Sequence, residues 1–124
     1  MKMKLSILTL FFGLLILGNS QTLAQENGVL PTKLQITVLN GLGNKVVGAK
    51  VSIYESEEDY LGDKNVVGTA MVTDTKGRVT FKDLLPKVYY IFTRKDSMDN
   101  ADGNQSTGKL KKGVKNKVIV VIND

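Results

Sequence analysis

Thr73 to Ile91, "TDTKGRVTFKDLLPKVYYI", packs a turn, a strand, a second turn and an aromatic strand into nineteen residues. Asp74 can accept from backbone amides within the first turn, and Gly77 can supply the positive φ that a tight connection between strands needs. Alternation then sends Phe81, Leu84, Tyr89 and Ile91 to one side. Burying side chains of this size is worth roughly 1.5 to 3 kcal/mol each, so core and turn together account for the stretch, which reads as scaffold.

The same grammar extends outward. "KLQITVLN" (33–40) alternates Leu34, Ile36 and Val38 with Gln35 and Thr37, and "AKVSIYE" (49–55) places Ala49, Val51 and Ile53 opposite Lys50, Ser52 and Tyr54. "VVGTAMVT", "GRVTF", "VYYIFT", a weaker "STGKL" and "KVIVVI" complete seven short strands, separated by turn residues about every ten positions. No segment of helical period follows the first 24 residues. Pro31 and Pro86 fall outside the strands, as a residue without an N–H requires. The last strand is apolar on both faces and is expected to be central.

The first 24 residues read as a helical signal peptide. Lys2 and Lys4 precede an apolar run, Leu5 to Leu17, and Thr22, Leu23 and Ala24 make a cleavage site, so that the exported chain begins at Gln25. Residues 25–32 read as a flexible lead and 33–124 as one domain. The net charge of +5 loses Lys2 and Lys4, leaving 15 basic residues against 12 acidic, or +3. That is too small to imply nucleic acid. The chain has no cysteine and no histidine, which removes disulfides, thiol nucleophiles, histidine bases and His/Cys metal sites. A carboxylate pair or a Ser/Lys arrangement remains, and neither has a recognisable motif context, so the sequence reads as non-enzymatic.

"GNKVVGAKVSI" followed by Thr73–Ile91 resembles the carboxypeptidase regulatory-like domain, a transthyretin-like β-sandwich of secreted proteins. The positions that carry the likeness are Gly43, Gly48, Ala49, Val51, Ile53, Thr73, Asp74, Gly77, Phe81, Leu84, Tyr89 and Ile91. Lys87 stands where that family usually has glycine. The resemblance implies an all-β, seven-stranded, Greek-key-type sandwich without catalytic residues of its own, acting as a binding or structural module at a bacterial envelope or outside the cell. Related adhesin domains carry a lysine-to-asparagine isopeptide bond, for which Lys33 with Asn116 or Asn123 are the available partners here, although "VYYIFTRK" offers no acid to promote it.

Two charged segments are candidates for a binding face. "ESEEDYLGD" carries Glu55, Glu57, Glu58, Asp59 and Asp63, and "KLKKGVKNK" carries Lys109, Lys111, Lys112, Lys115 and Lys117. If the strands alternate in direction, both segments lie at one end of the sandwich, with Lys82, Asp83 and Lys87 between them. A protein or a cell-surface glycan is the expected partner. An anionic glycan or lipopolysaccharide held by the lysines is the alternative, and five lysines without interleaved aromatics do not make a nucleic-acid groove. "DSMDNADGNQST" offers Asp96, Asp99 and Asp102 to a weak calcium ion, but aligning Gly103 with the EF-hand glycine puts Met98 and Lys109 at ligand positions, so an EF-hand is excluded. No other cofactor is expected.

Overall fold

The computed structural model describes residues 30–103 and 105–124. The expected signal segment and cleavage site, and Asn104, lie outside the described residues. Eight strands and one short helix occur in the order β1 (Lys33–Asn40), β2 (Lys50–Tyr54), α1 (Glu57–Gly62), β3 (Met71–Val72), β4 (Arg78–Phe81), β5 (Val88–Lys95), β6 (Met98–Asp99), β7 (Ser106–Lys109) and β8 (Lys115–Ile122). They form two sheets. One has the order β4-β1-β8, and the other the order β3-β2-β5-β6, with β7 also paired to β5. The all-β sandwich is as expected; the two-residue strand β6 and the helix α1 were not.

The core lies between the sheets. Leu34, Ile36 and Val38 of β1, with Val120 and Ile122 of β8 beside them in the same sheet, face Val51 and Ile53 of β2 and Tyr89 and Ile91 of β5, all of them buried. Phe81 and Val79 close it from β4, and Leu84 packs against it partly buried. The first turn forms as its residues require: Asp74 Oδ1 accepts from the Lys76 and Arg78 amides at 2.8 and 3.0 Å, and Gly77 has φ +73°. A Cβ at Gly77 would also stand 3.1 Å from the Val38 carbonyl, so glycine is needed for both reasons. The amide hydrogen bonds lower the Asp74 carboxyl below its ordinary value. In the second turn the left-handed residue is Asp83, at φ +56°, rather than position 87, which frees that site for lysine.

The last strand is not central. β8 runs parallel to β1 along its whole length, Lys33 opposite Lys115 through Asn40 opposite Ile122, and forms an edge of its sheet. Its second apolar row, Ile119 and Val121, is 59% and 40% exposed on the outer face. Its doubly apolar pattern therefore reflects one buried row and one bare row. Thr32, read as the end of a flexible lead, is buried; its carbonyl accepts from Leu84 and its hydroxyl from Gly113 at 2.8 Å.

β6 and β7 leave a gap along the edge of β5. Asn100 fills it, accepting from the Thr93 amide at 2.9 Å and donating to the Ile91 carbonyl at 2.9 Å, with its side chain buried. An amide side chain thus substitutes for two rungs of the β ladder.

Candidate functional site

Strand pairing brings the charged connections to one end. Lys33 opposite Lys115, Leu34 opposite Phe81, Tyr54 opposite Tyr90 and Val88 opposite Lys109 put the β2–β3, β4–β5 and β7–β8 connections together. Glu55 and Lys87 meet there at 3.1 Å, the one ion pair among the described residues, and Leu110 donates its amide to the Lys87 carbonyl.

The lysine turn is held rigidly. Leu110 is buried beneath it. Asn116 Oδ1 accepts from the Lys111 amide at 2.9 Å, while its Nδ2 donates to the carbonyls of Lys111 and Lys33 at 3.1 Å. Lys33 N also bonds the Val114 carbonyl at 3.0 Å. These contacts make Asn116 a turn-fastening residue, its amide nitrogen donating to backbone oxygens. Around this fastened loop Lys109, Lys111, Lys112 and Lys115 are exposed, and among the described residues no ion pair neutralises them.

The acidic segment divides. Glu55 stays at the end with Lys87, but Glu57, Glu58 and Asp59 form the first turn of α1, a favourable place for carboxylates. Ser56 caps that turn by accepting from the Asp59 amide at 3.0 Å. The helix folds back over the outer face of the larger sheet, with the Tyr60 ring 5.9 Å from Tyr54, 6.5 Å from Tyr90 and 6.3 Å from Phe92. Burial raises the Tyr60 hydroxyl above its ordinary value, and the charge of Asp99 adds to it. Tyr54, which alternation put on the polar face of β2, is consequently buried. Six residues are too few to show a helical period; the capping serine three residues before Asp59 was the available signal.

The three aspartates offered to calcium have separate local roles. Asp96 turns the β5–β6 hairpin at φ +54° and gives its carbonyl to Arg94 Nε at 3.2 Å; Asp99 Oδ1 accepts from the Ala101 amide at 2.9 Å; Asp102 lies exposed in the following turn. Among the described residues no group of three acidic side chains is placed to hold a metal ion. No helix among them is long and apolar enough to cross a membrane.

No family model matches the chain, and no curated protein matches it. Solved structures do. The chain is similar to the group B streptococcus pilus 2b backbone protein, at 17% identity and a TM-score of 0.57, over 75% of this chain and 41% of that one. It is also similar to the Bacillus anthracis TIE protein, at 21% identity and a TM-score of 0.52, over 75% of this chain and 17% of that one. A looser superposition on chlorocatechol 1,2-dioxygenase from Pseudomonas putida, at 16% identity over 77% of this chain and 61% of that one, has a TM-score of 0.49. The chain thus spans less than half the length of the two structures it matches best of these three, and what it shares with them is the fold of a β-sandwich.

Proposed function

We propose that the chain is an exported, non-catalytic β-sandwich of the carboxypeptidase regulatory-like, transthyretin-like kind, which binds an acidic protein partner at a bacterial envelope or outside the cell. The observation that carries this reading is the fastened lysine turn. Lys109, Lys111, Lys112 and Lys115 surround a loop whose backbone is tied down by Asn116, Thr32 and Leu110, and their charges have no partner in the described chain. A backbone held in one geometry adds little ordering cost on binding, which then falls on the lysine side chains. The absence of histidine and cysteine from the sequence supports a non-catalytic role, and the basic, apolar and small-residue opening of the chain supports export. The fold shared with a pilus backbone protein supports a part in assembly.

Lysine-reactive cross-linking in intact cells of the native host, read by mass spectrometry, tests the reading. Cross-links from Lys111, Lys112 or Lys115 should converge on acidic segments of one envelope or extracellular protein. Cross-links scattered over many proteins, or arising chiefly from lysines at the opposite end such as Lys45 and Lys76, would contradict it.

A further inference from the structure

The outer face of the larger sheet is covered by α1 only in part. Beyond the end of the helix a cleft of about 180 Å³ remains, lined by Lys50, Ser52, Tyr54, Asp63, Phe92 and Arg94, and it continues beside Tyr60 and Leu61. Its wall is aromatic. Its open side holds two cations, Lys50 and Arg94, directly opposite one another on β2 and β5. Like charges in this position repel, which disfavours the strand pair unless something anionic lies between them. Neither has an ion-pair partner among the described residues. Asp99, across from Arg94 on β6, and Asp63, in the cleft wall, offset part of this repulsion; each uses one carboxylate oxygen locally, Asp99 to accept from Ala101 and Asp63 to accept from the Tyr54 hydroxyl at 2.6 Å. The bond from Arg94 Nε to the Asp96 carbonyl orients the guanidinium and leaves its two terminal nitrogens for a ligand.

We propose that this cleft binds an acidic saccharide, one uronate residue at a time. The carboxylate sits between Lys50 and Arg94, the apolar face of the pyranose ring packs on Phe92 and Tyr60, and the second oxygen of Asp63 accepts from a ring hydroxyl. The combination of flat aromatic walls with a paired cation site in a small cleft suits a charged ring better than an extended peptide, whose backbone would need donors and acceptors that the side-chain-lined cleft does not offer. This site is separate from the lysine turn and does not depend on that face having a partner.

Amide chemical shifts of the isotopically labelled chain, followed during titration with trigalacturonate, test the proposal. Saturable shifts should centre on Lys50, Ser52, Phe92 and Arg94, and neutral maltotriose should produce none. Arg94→Gln and Lys50→Gln, both on exposed residues, should each weaken trigalacturonate binding by about tenfold or more, as expected for loss of a charge-assisted contact. K111Q/K112Q/K115Q should change it by less than about twofold. Absence of saturable shifts, equal binding of maltotriose, tighter binding of a triglutamate peptide, or loss of binding in the lysine-turn variant with retention in Arg94→Gln would each overturn it.

Discussion

The Tyr54 hydroxyl donates to Asp63 Oδ1 at 2.6 Å, joining the end of β2 to the C-cap of α1. Asp63 holds a left-handed backbone, φ +50°, at a position where helices commonly place glycine. The aspartate there closes the helix and supplies the acceptor for the buried phenol.

Removing that hydroxyl tests whether α1 is fastened or merely resting on the sheet. Tyr54→Phe should cost about 1 to 2 kcal/mol in denaturant unfolding. Burial, and then the Asp63 hydrogen bond and charge, push the Tyr54 hydroxyl up to about 12 from an ordinary 10.0. Because the folded value is raised, the neutral phenol's contribution is complete below about pH 10 and is lost as pH rises from about 10 towards 12. Wild type should lose stability over that window more steeply than Tyr54→Phe; parallel curves would show that the phenol is not held as described.

Phe81 is 6% exposed between the two sheets, so Phe81→Ala should destabilise the domain by about 3 to 5 kcal/mol. A variant that lost binding but melted at the wild-type temperature would identify Phe81 as a contact residue instead of a core residue.

Asn100 stands in for two ladder rungs, and its loss strands the Thr93 N–H and the Ile91 C=O at a buried strand edge. Asn100→Ala should cost about 2 to 4 kcal/mol, and hydrogen exchange at the Thr93 amide should accelerate well beyond that of its neighbours. Unchanged protection of Thr93 would mean that another group takes the place of the asparagine.

Much of this fold was legible because its long strands have one buried face. Leu34, Ile36 and Val38, or Val51 and Ile53, declare their orientation by alternation alone, and Asp74 with Gly77 declare the turn between β3 and β4. β8 misled because apolar side chains say how much is hydrophobic, not which row has a covering layer; Ile119 and Val121 have none in the described chain. The meeting of the charged connections at one end followed from alternating strand directions, whereas the departure of Glu57, Glu58 and Asp59 up the flank depended on the single turn of α1. The cleft was invisible in the sequence because Lys50, Asp63 and Arg94 lie far apart along it and meet only through the β2–β5 register and the fold-back of the helix.

The most direct measurement on the lysine-turn face is the salt dependence of the partner identified by cross-linking, with K111Q/K112Q/K115Q alongside. The variant should fold like wild type, since each exposed lysine contributes at most about 1 kcal/mol. Wild-type affinity should fall by about tenfold or more between about 50 mM and about 500 mM sodium chloride, and the variant should start weak and respond little. Affinity that is indifferent to salt and to the three substitutions would contradict the account, placing the contact on the bare apolar row of Ile119 and Val121 instead.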